Sequence, residues 1–329
     1  MTHPRLRVLT LGGTIAMARG AGGDADDGGV TPGLSGQALL DAVPELARIA
    51  DVSVESVAAV GSSNLGFETA LSVMGIIQGS SADAHLVVTG TDTLEEIAFA
   101  LDLLLGAHAR TVVTGAMRAA DAPGADGPAN LQAAALTAVN GGLRGRGVVA
   151  VLNDTIHAAR AVEKKHTNRT DAFESPGWGP AGLISEGSVV FHGLLRRPSV
   201  LDGVGPDMRC PPVALWEAGF GDDGRLLDAI GTAGYEAVVV AGFGGGHLSE
   251  AQAERAVALA ARMPVILASR TGAGRTLMRT YGYRGGERDL IARGLIPAGC
   301  YSPRKARIMA TLALGAGYGR DDLAKLLMS

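Results

Sequence analysis

Short apolar runs at 6–11, 51–60, 86–89, 111–114 and 147–152 alternate with stretches of helical periodicity at 36–49, 67–78, 93–105 and 128–138. This alternation is the strongest constraint on the fold. Successive strands separated by a helix cannot be joined by hairpins, so the chain crosses over and returns in the same direction. The result is a mostly parallel sheet with helices on both faces. The runs are rich in Val, Leu and Thr and show little polar alternation, as strands covered on both sides do. Thr93 stands where a helix cap is expected, with Glu95 and Glu96 in the first turn, where the helix dipole favours negative charge.

A second set repeats the rhythm, with strands near 213–216, 237–241 and 265–268 and helices near 249–262 and 304–314. Between the sets, 189–212 has no period and carries Arg196, Arg197 and the Pro211–Pro212 pair, so it reads as an interdomain linker. A chain of 329 residues has room for two domains. The expectation is an α/β protein with a larger N-terminal domain (1–188) built on a doubly wound, flavodoxin-like sheet. The linker (189–212) and a smaller C-terminal α/β domain (213–329) follow.

Composition narrows the function. A net charge of −4 points to neither nucleic acid nor an anionic membrane. No apolar run reaches the length of a membrane span, and the start shows no secretory signal pattern. Two cysteines, Cys210 and Cys300, cannot make a disulfide framework, which favours a reducing, cytoplasmic setting. His157, His166 and His192 are scattered and no Cys/His cluster has zinc spacing, so no metal is expected.

Chemistry collects at the carboxyl ends of strands in such a sheet. Three ends carry polar turns: Gly12-Gly13-Thr14 after the first, Gly90-Thr91-Asp92-Thr93 after the third, and the stretch from Thr114 to Asn130 after the fourth. Thr and Asp there also serve as ordinary caps and turn formers. Three threonine-bearing turns at neighbouring ends shift the balance toward a site. The basic residues are almost all arginine; the exceptions are Lys164, Lys165, Lys305 and Lys325. Arginine keeps its proton in proteins, whereas lysine can release one, so a retained lysine is a candidate proton carrier.

The blocks GGTIA (12–16), GTDTLEE (90–96), TGAMR (114–118) and AVLNDTIHAARAVEKKHT (150–167), followed by GFGGGHL (242–248), ASRTGAG (268–274) and SPRKAR (302–307), resemble the bacterial-type L-asparaginase family in order and spacing. The resemblance covers nearly the whole chain. It implies a two-domain amidohydrolase without cofactor or metal, with L-asparagine as its small-molecule substrate. It further implies a homo-oligomer, a dimer or a dimer-of-dimers tetramer, in which one subunit's N-terminal domain holds the site and the partner's C-terminal domain completes it. By position Thr14 falls on the nucleophile, with Thr91, Asp92 and Lys164 as the other catalytic residues. Ser62, Ser63 and Gly90 fall on the carboxylate-binding turns, and Ala116 lines the amide pocket. His247 and Glu287 fall on the residues a partner subunit supplies.

Several positions depart from the family pattern. The lid segment 18–36 contains no tyrosine, and Val30 stands where one is usual. Ser63 replaces a glutamine, Thr89 stands where the family has histidine before GTDT, and His247 replaces an asparagine. Tyr281 and Tyr283 are the phenols that could replace the lid tyrosine from a neighbouring chain. The leading expectation is conversion of L-asparagine to L-aspartate and ammonia through a threonyl ester. A broader asparaginase/glutaminase and a non-catalytic amino-acid-binding protein of the same fold are the alternatives.

Overall fold

The structure is a computed structural model of the chain. It describes residues 3–13, 17–19, 30–32, 41–106, 109–193 and 200–329, with backbone alone for 17–19 and 30–32. The chain divides into two compact units, Met1–Val200 and Leu201–Ser329.

The first unit holds strands β1 (Arg5–Thr10), β2 (Met17–Arg19), β3 (Val30–Pro32), β4 (Asp51–Ser56), β5 (Ala84–Val88), β6 (Thr111–Thr114), β7 (Val149–Leu152), β8 (Thr155–Ala158), β9 (Glu163–Lys164), β10 (Phe173–Glu174), β11 (Gly182–Ser185) and β12 (Ser188–Phe191). Eight of them form one sheet in the order β12-β11-β8-β7-β6-β5-β1-β4. The run from β4 to β7 is parallel. Its spatial order, second strand, first, third, fourth, fifth, is the flavodoxin-like order expected for a doubly wound sheet.

The hydrophobic periodicity finds the helices Phe67–Gln78, Leu94–Leu104 and Gly127–Val139. Leu6, Val8, Leu86, Val88, Val112, Val149 and Val151 pack on Leu131, Ala134, Ala135 and Ala138 of the last of these. Strand side chains alternate between faces, so Leu9, Val87 and Val113, all fully buried, lie on the other face. In Leu94–Leu104 every residue except Glu96 is buried, as in a helix covered all round.

Sequence periodicity missed the antiparallel extension. Residues 153–191 hold β8 to β12, all two to four residues long and with no helix between them, so the strand–helix alternation does not mark them. Their turns are legible in hindsight. Asn153 and Asp154 both have positive φ (49° and 54°), as do Glu186 and Gly187 (50° and 73°). These are two-residue hairpin turns of the type that matches strand twist. Strand β12 runs from Ser188 into the start of the stretch read as a linker (189–212) and pairs with β11. Of the helix expected at 36–49, residues 41–49 are described, and among them the chain forms the short helix Leu46–Ile49.

The second unit has four parallel strands, β13 (Val213–Glu217), β14 (Ala237–Gly242), β15 (Val265–Ser269) and β16 (Ile296–Pro297), in simple sequential order. The helix Glu250–Ala260 begins with a capping box, Ser249 accepting from the Gln252 N–H and Gln252 accepting from the Ser249 N–H. The helices Arg225–Ile230, Glu287–Ala292 and Arg320–Met328 were not evident from periodicity. No helix among the described residues is long and apolar enough to cross a membrane.

One buried row in the first unit has a cost. Arg7, His85 and Thr111 are register partners across β1, β5 and β6. Arg7 pairs with Glu55, but among the described residues neither ring nitrogen of His85 nor the Thr111 hydroxyl has a partner. Burial, then the Arg7 charge, hold the His85 imidazole down to about 4. Burial holds His157, whose Nδ1 meets the Ser175 hydroxyl at 2.9 Å, to about 4 as well. Both groups fold neutral. Their contribution is therefore complete above an unfolded value near 6.5 and is lost as the pH falls toward 4. The melting temperature is expected to drop steeply over that window. His85→Leu, which removes an unpaired buried polar ring, should raise it at pH 5 relative to wild type, with a smaller gain at pH 8. Thermal melts at the two pH values check this; a difference independent of pH would refute it.

Candidate active site

Strands β1 and β5 are neighbours, yet the chain leaves β1 toward β4 on one side and leaves β5 toward β6 on the other. Their carboxyl ends thus flank the topological switch point, where doubly wound sheets open a crevice for ligands. The two turns there touch through their backbones. Gly12 and Gly13 have φ of 91° and 92°, values unfavourable for any residue with a side chain. A Cβ on Gly13 would lie 2.2 Å from the Gly90 Cα, and one on Gly90 would lie 2.6 Å from the Ser62 Oγ. Glycine at both positions lets the turn after β1, the turn after β5 and the short turn Ser62–Asn64 close on one another.

Thr91 and Asp92 occupy the turn after β5. Thr91 is buried, and its hydroxyl accepts a hydrogen bond from the Lys164 ammonium at 2.9 Å. The same ammonium donates to the Asp92 carboxylate at 3.0 Å. Lys164 is on β9, 72 residues along the chain from Asp92. Its side chain is 17% exposed, whereas that of Asp92 is 67% exposed. The lysine is therefore shielded and the carboxylate stays open to a ligand. Three of the four residues assigned to catalysis, Thr91, Asp92 and Lys164, meet within hydrogen-bond reach. Thr14, the fourth, lies outside the described residues.

Ser62 is buried at the back of these turns. Its hydroxyl accepts from the Asp92 N–H at 3.2 Å, and its carbonyl accepts from the Thr93 hydroxyl at 2.8 Å. Thr93 holds the N-cap position, but no cap hydrogen bond forms; its side chain ties the helix start to Ser62 instead. Gly90 is buried beside Ser62, while Ser63 is exposed. Ala116 is fully buried after β6.

Three polar residues outside the expected set hold this frame. The backbone N–H of Lys164 donates to the buried carboxylate of Glu95. Asp126 accepts from the N–H groups of Met117 and Arg118 at 3.0 and 2.9 Å, fixing the turn that carries Ala116. Asn130, 2% exposed, donates to the Gly115 carbonyl at 2.9 Å and accepts from the Asn153 N–H at 2.9 Å. Sequence reading took Glu95 as a helix-dipole charge, and nothing local marks Asp126 or Asn130 as clamps. Of the lid segment, β2 and β3 form an antiparallel pair in which Arg19 faces Val30.

In the second unit, His247, Glu287, Tyr281 and Tyr283 come together. Glu287 is fully buried and accepts from the Thr280 and Tyr281 N–H groups at 2.7 and 2.8 Å. Its other oxygen meets the His247 Nε2 at 3.1 Å. Burial works against the charge, yet the backbone N–H groups of Tyr281 and Thr280 and the His247 contact leave its pKa lowered. The His247 ring lies edge-on to Tyr281 and Tyr283, with centroids 4.9 and 5.7 Å away. The tyrosines are 43% and 53% exposed. Among the described residues no cluster of acidic, His or Cys groups has the arrangement of a metal site.

Residues 5–196 match the family described as "Asparaginase, N-terminal", and 212–327 match "Glutaminase/Asparaginase C-terminal domain". The chain is 34% identical over 324 residues to L-asparaginase 2 of Bacillus subtilis, covering 94% of this chain and 82% of that protein. It is 32% identical over 321 residues to a probable periplasmic L-asparaginase of Haemophilus influenzae, covering 94% and 88%. Among solved structures, a probable cytoplasmic L-asparaginase from Campylobacter jejuni superposes with a TM-score of 0.88 at 30% identity, over 99% of both chains. With both family domains matched in order and relatives of this identity over most of its length, the chain belongs to the asparaginase family.

Proposed function

We propose that the protein hydrolyses the side-chain amide of L-asparagine, releasing L-aspartate and ammonia, through a threonyl ester and without a cofactor. The observation that carries this reading is the Lys164 ammonium placed on both the Thr91 hydroxyl and the Asp92 carboxylate at the switch point of a family-matched sheet. A threonine hydroxyl is a weak nucleophile at neutral pH and needs a base or a polarising partner. Thr14 is the nucleophile in this reading, assigned by resemblance. Its oxygen bonds to the amide carbon while the Lys164 ammonium gives a proton to the amide nitrogen, and the Thr14 proton, passed on by Thr91, restores that ammonium. The C–N bond then breaks and ammonia leaves. Water cleaves the ester, adding its oxygen to the carbon and returning a proton to Thr14.

The remaining residues recognise a free amino acid, which carries both charges. The exposed Asp92 carboxylate suits its ammonium, and the Ser62 hydroxyl with the Gly90 turn suits its carboxylate. Ser63 and Ala116 border the same turns. Backbone N–H donors of the glycine turns stabilise the oxyanion, at about 3 kcal/mol per donor. Cys210 and Cys300, neither of them in a disulfide among the described residues, fit a cytoplasmic setting.

Purified protein is expected to release ammonia from L-asparagine, and its kcat/KM ratio against L-glutamine measures breadth. Thr14→Ala and Thr91→Val should each lower kcat by roughly 10³-fold or more, as removal of one member of a nucleophile–base unit does. Lys164→Arg should be nearly as damaging as Lys164→Met, because arginine keeps the charge without exchanging the proton. Lys165→Arg should be close to neutral, because its ammonium pairs with Glu163, an ion pair that arginine can also make. Equal, mild effects at Lys164 and Lys165 would remove the relay from the mechanism.

A homo-oligomer completed by the second unit is part of the same proposal, with His247, Glu287, Tyr281 and Tyr283 as the completing group. Support comes from the exposed phenols gathered on His247. Dilution to folded monomer, followed by light scattering, is expected to abolish turnover. Tyr281→Phe or Tyr283→Phe is expected to slow the chemical step without lowering the melting temperature. A fully active monomer, or full turnover in both variants, counts against it.

A further inference from the structure

We infer that Glu95 is a positioning residue for Lys164, holding the lysine's main chain so that its ammonium meets Thr91 and Asp92. The inference rests on the catalytic reading of Lys164 given above. Lys164 belongs to a ribbon of two-residue strands, β9 against β10, which is too short to fix itself. In that ribbon the Lys165 N–H donates to the Ala172 carbonyl at 2.7 Å. Successive N–H groups of a strand point to opposite edges, so the Lys164 N–H faces away from β10 and needs another acceptor. Glu95 supplies it.

Glu95 sits in the first turn of Leu94–Leu104, the helix buried around nearly its whole circumference. Thr91 and Asp92 immediately precede that helix. One five-residue segment therefore grips Lys164 at both ends: Glu95 by the amide, Thr91 and Asp92 by the ammonium. A favourable interaction with the helix dipole does not require a carboxylate to be buried to 5% exposure. Burial on that scale is costly unless the charge is hydrogen-bonded, and an N–H to carboxylate bond is among the stronger kinds. A lysine side chain has four rotatable carbon bonds, so an unfixed main chain would let the ammonium wander from Thr91. Displacements of about 1 Å are enough to cost about 10²-fold in rate.

The test uses Glu95→Asp, one methylene too short to reach, and Glu95→Gln, which keeps an acceptor oxygen at full length. Turnover of L-asparagine is measured for each at its own pH optimum. Backbone amide spectra are recorded on ¹⁵N-lysine protein, in which four lysines give four readily assigned signals. Wild type should show a downfield Lys164 amide protected from exchange. Glu95→Asp should lose that protection and about 10-fold or more in kcat, with KM changed less than about threefold. Glu95→Gln should keep the protection and stay within about threefold of wild type in kcat. The inference is overturned if Glu95→Asp keeps either the protected amide or wild-type kcat, or if Glu95→Gln loses as much as Glu95→Asp. Should Glu95→Asp not fold, Glu95→Gln decides alone: retention of both readouts supports the role and loss of either overturns it. Absence of ammonia release from wild type would instead sink the amide-hydrolysis reading, while the Lys164 amide still reports on Glu95.

Discussion

No side chain fits between Gly13 and Gly90. A Cβ on the first would sit 2.2 Å from the backbone of the second. This contact lets the turns after two adjacent parallel strands close on each other at the one place where the sheet's winding reverses. Everything assigned to chemistry in the first unit depends on that closeness. Thr91 and Asp92 sit one and two residues beyond Gly90, and Ser62 packs directly against Gly90. Any side chain at either glycine would spread the turns apart and carry the polar groups with them.

Around this contact, loops are held by side-chain acceptors, two of them buried (Glu95 and Asn130) and one half-buried (Asp126), rather than by regular pairing. Glu95 takes the Lys164 amide, Asp126 takes two amides of the turn after β6, and Asn130 bridges that turn to the β7–β8 hairpin. Each is a polar group whose burial is stabilising only while its partner stays in place. The same physics explains why His85 and Thr111, buried in the same sheet with no partner among the described residues, are a cost, which for His85 grows at low pH. In the second unit, Glu287 spends its carboxylate on two backbone amides and on His247. It thus fixes the loop bearing Tyr281 and Tyr283, which leaves those rings, not the carboxylate, at the surface.

The sequence by itself determined the α/β class, the parallel core strands and their main helices, because there apolar runs alternate with stretches of helical period. It also picked out Thr91, Asp92 and Lys164, the first two from a strand-end turn and the last from its rarity and from resemblance. It did not reveal β8 to β12, short strands with no helix between them that are fixed by their register partners: β8, β11 and β12 extend the sheet from β7, and β9 and β10 pair with each other. Only the tertiary structure decided that Lys164 meets Thr91 across 73 residues of chain. It alone showed that Thr93 bonds to Ser62 rather than capping its helix, and that Glu95, read as a first-turn charge on the helix dipole, is an acceptor for a backbone amide. Periodicity records which face of an element is buried. Which polar atom meets which depends on distances between segments far apart in the chain, and local sequence does not encode them.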